Sequence, residues 1–297
     1  MTTAEGHRGL RGGAGPAAVI GLLLAAGSVL VAAFVFAPAA LLNGADPDLR
    51  DETALRDALG RGLAEYWRDG GPGFPELLAG LVDYWFRWHA VKVVISSLLV
   101  VVFVLLAVVL WRRYLRGEAG PAVGAAGTTG PVTGAVGRFG SAVGAVGATV
   151  FVVVAAGLLI LNIQATAVPL VALLPLLAGG TSGGEPGRVL REMRDGLTDP
   201  AGPHAGSPVS AALLGEVERY HGVMVVVALT VTVAIGLAGV FLWRRRVGGD
   251  GTRGRFLRRT VGVVMGLTAS LLLLVAAASA SSAIEPAATL LAVLAPH

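Results

Sequence analysis

The sequence predicts an all-α fold: a polytopic membrane helical bundle of five transmembrane helices. These are arranged as tandem parallel two-helix repeats plus one extra helix, with extracytoplasmic amphipathic helical hairpins. The first observation behind this is composition. Hydrophobic residues make up 55% and charged residues 14% of the chain, whereas a soluble domain carries about 25% charged residues. The second is five apolar runs, near 17–42, 90–110, 142–178, 222–242 and 260–278. Each is long enough to cross a hydrocarbon core of roughly 30 Å.

The third observation is an internal echo. Arg87-Trp88-His89, twenty-one mostly apolar residues from Ala90 to Leu110, and Trp111-Arg112-Arg113 form one copy. Arg219-Tyr220-His221, twenty-one residues from Gly222 to Leu242, and Trp243-Arg244-Arg245 form the other, at a constant offset of 132. The echo makes each unit an outgoing helix, an external loop and a returning helix. An even number of spans per unit gives the copies one orientation, so their pseudo-symmetry axis is expected along the membrane normal.

Charge sets the expected topology. Basic residues cluster at Arg8 and Arg11, at Arg112, Arg113, Arg116 and Arg138, and at Arg244 to Arg246 with Arg253, Arg255, Arg258 and Arg259. The longer loops, 43–88 and 179–220, are net acidic. By the positive-inside rule the N-terminus is cytoplasmic, and five spans leave the C-terminus extracytoplasmic, in a bacterial plasma membrane. Twenty-two arginines against the single Lys92 point to a GC-rich genome. The basic pI reflects these membrane-flanking clusters, so no nucleic-acid partner is expected. With no cysteine, disulfides and thiolate metal sites are excluded.

In order, residues 1–16 form a cytoplasmic disordered N-terminus. Repeat 1, 17–130, holds a span at 17–42, an external cap at 43–89, a span at 90–110 and a cytoplasmic loop at 111–130. Repeat 2, 131–253, holds a span at 142–168, an external cap at 179–221, a span at 222–242 and a cytoplasmic loop at 243–253. The fifth span and an external C-terminal tail occupy 254–297. The first run is long for a signal peptide. Its tail, Ala37-Pro38-Ala39-Ala40-Leu41-Leu42, also resembles the stretches at Val168-Pro169-Leu170 and Glu285-Pro286-Ala287, so the helix is expected to remain uncleaved.

In the first external loop Leu55, Leu59 and Leu63 recur every four residues, with Arg56, Asp57 and Arg61 elsewhere: an amphipathic helix. Leu55-Arg56-Asp57 with Gly62-Leu63 is answered weakly by Leu190-Arg191-Glu192 with Gly196-Leu197. Second helices are expected to start at Pro75 and Pro208 and run into the returning spans. Each loop becomes a helical hairpin lying over the outer face, and together they form a cap. The segment 117–136, rich in Gly, Ala, Thr and Pro, reads as a flexible linker. The glycines at 137, 140, 144 and 147 share one helical face and permit close packing, within the chain or in an oligomer through Gly137, Gly140, Gly144 and Gly147.

Candidate functional residues lie around the outer boundary. The Arg-Trp/Tyr-His and Trp-Arg-Arg motifs suit interfacial anchors. His89 and His221, at equal depth on related helices, are a possible pair for haem or a metal ion, although no third zinc ligand is evident. Lys92, one turn below His89, either snorkels to the headgroups or lines a cavity for an anionic group; position 224, its counterpart, is Met. Asn162, Gln164 and Thr166, with Ser279, Ser281, Ser282 and Glu285, either bond across helices or line an outward pocket. Aromatic residues crowd the first external loop (Tyr66, Trp67, Phe74, Tyr84, Trp85, Phe86, Trp88), while the second has Tyr220 alone. They serve burial or a partner surface.

No nucleotide-binding loop, nucleophile elbow or His-Glu-x-x-His motif occurs. The expected function is therefore a non-catalytic integral membrane protein, an accessory, assembly or envelope-associated subunit. It would bind a protein or lipid partner through its cap, with Trp67, Tyr84, Trp85 and Trp88 as contact residues and no cofactor. The alternatives are a small transporter with Lys92, Asn162, Gln164 and Glu285 lining its path, and a membrane redox or metal protein using His89 and His221.

Overall fold

The structure is a computed structural model and describes residues 15–42, 51–117, 131–179, 184–199, 207–245 and 251–295. The expected disordered N-terminus up to residue 14 and the centre of the Gly-rich linker, 118–130, lie outside the described residues, as do the surroundings of Gly137. All regular structure among the described residues is helical: α1 (Pro16–Leu41), α2 (Glu52–Asp69), α3 (Glu76–Arg116), α4 (Pro131–Ala167), α5 (Pro169–Leu173), a 3-10 stretch (Leu174–Gly179), α6 (Gly184–Thr198), α7 (Pro208–Arg244), α8 (Thr252–Ile284) and α9 (Pro286–Leu294). Five helices, α1, α3, α4, α7 and α8, are long and apolar enough to cross a membrane. The chain is a helical membrane bundle.

The returning spans and the second cap helices are single elements. α3 is 41 residues long and α7 is 37, roughly 60 and 55 Å at the helical rise, far more than a bilayer core needs. Their N-terminal halves therefore rise out of the membrane as direct continuations of the spans, where the sequence suggested hairpins lying flat. Pro75 precedes α3, and Ser207 caps α7 by accepting a hydrogen bond from the Ser210 N–H at 3.2 Å. α2 is bounded by chemistry legible in sequence: Asp51 accepts from the Thr53 N–H at its start, and Gly70, at φ 71°, closes its end in the left-handed region. α4 begins at Pro131, inside the stretch expected as linker, with proline at the first position it tolerates best.

Two of the outgoing spans end in breaks built alike. Val168, at φ −139° and ψ 75°, and Glu285, at φ −119° and ψ 63°, each precede a proline that disfavours the helical conformation behind it. At the first break the Val168 N–H donates to Gln164 O and the Ala172 N–H to Val168 O. At the second the Glu285 N–H donates to Ser281 O and the Thr289 N–H to Glu285 O, the same bonds 117 residues on. Pro38 instead stays inside α1, which runs on only to Leu41.

The tightest packing lies in the cap. One continuous apolar core joins Leu55, Leu59, Leu63, Tyr66 and Trp67 of α2, Leu78 and Leu81 of α3, Leu170 and Leu173 of α5, Leu174 and Leu177 of the 3-10 stretch, Val189 and Met193 of α6, Val209, Leu213 and Val217 of α7, and Leu290 and Leu294 of α9. The largest fully enclosed side chains among the described residues all belong to it. Residues 286–294, expected as a simple tail, are part of this core. The reason is the solvent. Enclosing a leucine removes apolar surface from water and contributes about 1.5–3 kcal/mol, whereas between spans the displaced medium is lipid, as apolar as the side chain.

Within the membrane, α1, α3 and α4 pack in sequence and α7 pairs with α8. α3 and α4 are the most enclosed: 28% and 22% of their most apolar stretch is buried, against 6%, 6% and 11% for α1, α7 and α8. Ile160 of α4 joins the two groups near the cap, meeting Met224 and Ala228 of α7 and Leu272 and Ala276 of α8. At the opposite end Leu257 of α8 packs with Leu106 and Trp111 of α3 and Ala145 and Ala148 of α4. Gly27 lets α1 approach α3, since a Cβ there would meet the Phe103 ring at 3.4 Å.

Candidate functional site

The repeated Arg-Trp/Tyr-His segments lie inside α3 and α7, at the level where cap becomes span. Each arginine has a carboxylate partner on its own helix: Arg87 with Asp83 at 2.8 Å and Arg219 with Glu216 at 3.6 Å. The histidines differ. His89 Nδ1 lies 3.0 Å from Trp85 O, and because a carbonyl only accepts, that nitrogen carries the proton. Its ring lies 4.7 Å from that of Trp85. His221 meets Tyr220 edge-on at 5.3 Å, and its enclosed Nδ1 has no hydrogen-bond partner among the described residues. The recorded neighbours of each histidine are on its own helix, and α3 packs chiefly on α4 and α1 while α7 packs chiefly on α8, rather than on each other. Among the described residues no group of three or more His, Asp or Glu side chains is placed to hold a metal ion.

Lys92 projects from α3 toward α1. Its Nζ sits 5.1 Å from the Phe34 ring centre and 5.4 Å from that of Trp88, within range of cation–π attraction on both sides. Trp88 in turn lies 6.0 Å from Tyr84. Beneath Lys92, the Ser96 and Ser97 hydroxyls donate back to carbonyls of their own helix, at Lys92, Val93 and Val93. These serines thus satisfy themselves locally.

The structure disperses the other residues proposed to line a path. Asn162 is enclosed, its Nδ2 donating to Leu158 O at 2.7 Å, while the Thr166 hydroxyl donates to Asn162 O. Gln164, also enclosed, donates from Nε2 to Tyr220 O at 3.3 Å and so ties α4 to α7. Glu285 is exposed at the α8–α9 break. Lys92 lies on the α1 side of α3, so it does not join Asn162 and Gln164 in the contacts the structure records.

Most cap aromatics turn inward. Trp67 is 5% and Tyr84 8% exposed, Trp85 is half-buried against the cap core, and Phe86 alone of this group is clearly exposed, at 44%. Tyr66 meets Phe74 edge-on at 5.3 Å and donates to Pro72 O at 3.4 Å. Burial first, and then the negative charge of Glu216, push its hydroxyl above the usual tyrosine range. The glycine face of α4 is used unevenly. A Cβ at Gly144 would lie 3.8 Å from Leu110 Cδ1 of α3, while among the described residues nothing within 4 Å faces Gly140 or Gly147.

Three features escape a reading of the sequence. Arg56 reaches from α2 to Leu176 O at 2.8 Å, tying the first loop to the segment after α5, while also pairing with Glu52. Its spacing from Glu52 was readable, but a backbone acceptor 120 residues away leaves no mark in sequence. Gly62 allows α2 to lie against α3: a Cβ there would come within 3.3–3.4 Å of Leu78 Cβ, Cα and N. Trp111, expected as an interfacial anchor, is buried between helices. It donates to the Thr149 hydroxyl at 3.0 Å and packs with Tyr114 and Phe256, whereas Trp243, at the matching place on α7, is 76% exposed. No family model matches the chain, and neither a curated protein nor a solved structure matches it, so its functional reading rests on its own geometry.

Proposed function

We propose that this chain is a non-catalytic multi-pass protein of a bacterial plasma membrane, with a cytoplasmic N-terminus and an extracytoplasmic cap and C-terminus. It acts as an accessory, assembly or envelope-associated subunit whose cap engages a partner protein. The observation that carries this reading is the single apolar core of the cap, drawn from both loops and from the tails of two spans. Such a core makes the cap a preformed platform, the kind of surface that docks with little loss of conformational freedom. The enclosed Asn162 and Gln164 side chains donate to backbone carbonyls, which favours a structural role for them over a transport path.

The chain has no cysteine, so an introduced one is unique. Arg61→Cys and Glu65→Cys place it on the exposed face of α2, and Arg255→Cys places it at the far end of α8 as a control. Crosslinking in native membranes is expected to give one discrete protein adduct from the α2 positions and not from the control. Adducts with only the chain itself or lipid, or the same adduct from all three positions, would sink the proposal.

A further inference from the structure

Three cationic side chains mark the boundary between cap and span: Arg87, Lys92 and Arg219. Two are balanced by carboxylates, Arg87 by Asp83 and Arg219 by Glu216. Lys92 has no carboxylate in ion-pair range among the described residues; its recorded partners are the faces of Phe34 and Trp88. The rings attract the ammonium and fix its position, but they carry no net charge, so the positive charge remains unneutralised.

The depth of that charge is set by the sequence. Lys92 is the last charged residue before an uncharged stretch that ends at Arg112, twenty residues on. At the helical rise this is about 30 Å, the thickness of a hydrocarbon core. The Lys92 ammonium therefore lies at the headgroup level on the cap side, half-buried in the groove between α1 and α3. An unpaired cation is costly at that depth unless an anion or water meets it. On α7 the matching position is Met224, buried against Ala228 and Leu272, so packing of this helix type does not call for a lysine there.

We propose that Lys92, held between Phe34 and Trp88, binds the phosphate of an anionic phospholipid headgroup at the cap-side surface of the membrane. The acyl chains of that lipid lie along the apolar groove that α1 and α3 form below it, beside the partly exposed Leu30 and Val91. A phosphate oxygen receives hydrogen bonds from the ammonium, a charge-assisted contact in a region of lowered dielectric. A zwitterionic lipid competes poorly because its own cation offsets the attraction. The site lies below the cap and is independent of a partner protein there.

Purified protein in nanodiscs of phosphatidylcholine, with and without added phosphatidylglycerol, tests this by native mass spectrometry of the retained lipid. The intact chain is expected to retain phosphatidylglycerol, and Lys92→Met to lower that occupancy about tenfold, a factor corresponding to one charge-assisted contact. Lys92→Arg preserves the charge and is expected to keep most of the occupancy. Because Lys92→Met removes a charge from an apolar helix, it does not threaten folding; matched thermal unfolding midpoints in phosphatidylcholine alone verify this. Equal phosphatidylglycerol retention by the intact chain and Lys92→Met overturns the proposal. Full displacement of the lipid by inorganic phosphate overturns the lipid assignment and leaves a site for soluble phosphate.

Discussion

Replacing Leu59 by alanine, beside a matched change on a lipid-facing span, tests where this protein keeps its stability. Leu59 is 0% exposed at the centre of the cap core, whereas Leu237 on α7 is 67% exposed. Truncating a fully enclosed leucine costs about 2–5 kcal/mol, because apolar contact is lost and the cavity only partly collapses. At tenfold per 1.4 kcal/mol, the population with an open cap rises roughly 30-fold to several-thousand-fold. Leu237→Ala removes contact with lipid only, and alanine is at least as good a helix former, so its effect stays within about 0.5 kcal/mol. Pulse proteolysis across a urea series, in detergent micelles, reads the cap directly because α2 becomes cleavable when the core opens. Leu59→Ala is expected to shift the midpoint to clearly lower urea and Leu237→Ala to leave it in place. Equal shifts for the two would refute the argument that water, rather than helix packing in lipid, holds the fold together.

Two further predictions concern the same layer. Gly62→Val is expected to lower cap stability by about 1–3 kcal/mol, because the new side chain meets the backbone of Leu78, which yields only if α2 moves. Gly80→Ala, facing open space, is expected to raise stability by up to about 1 kcal/mol through helix propensity. Urea midpoints moving the same way for both would contradict the close approach of α2 to α3. For Tyr66, the folded hydroxyl titrates above its unfolded value, so its contribution is complete below the unfolded tyrosine value of about 10 and is lost as pH rises through the folded value. Between those values the intact chain should lose cap stability more steeply than Tyr66→Phe. Parallel pH profiles for the two proteins would show that Tyr66 stays protonated in both states or ionises equally in both.

Several local features were open to sequence reasoning because their causes are local. The Leu55, Leu59, Leu63 spacing placed α2, and Asp51 and Gly70 supply its ends. Pro75 and Pro208 announced helices that continue into the spans. The prolines at 169 and 286, which in the sequence echo the tail of the first span, both sit at breaks, because the ring acts on the residue just before it. Pro38 shows the limit: the same residue stays inside α1, near its end.

The candidate site was less legible. Aromatic crowding in the first loop left both a core and a surface open, and Trp67 joins the core that α6 and the tails of α4 and α8 complete, while Tyr84 is buried beside Trp88 of its own helix. Trp111 and Trp243 occupy the same place in the echoed motif, yet one is buried and the other exposed, since only Trp111 meets Phe256 of α8. Arg56 found its acceptor in a 3-10 turn far along the chain. Lys92 was recognisable as an odd charge, but its place between Phe34 and Trp88 required α1 to pack on α3.

By itself the sequence determined that five helices are long and apolar enough to cross a membrane. Backbone polar groups in lipid must be satisfied within the segment, so apolar length alone specifies a spanning helix. Only the tertiary structure decided that two loops and two span tails share one core, and that the lone lysine is caged by aromatic rings. Burial in water selects which surfaces meet, and that choice depends on contacts between residues more than a hundred positions apart, which periodicity cannot encode.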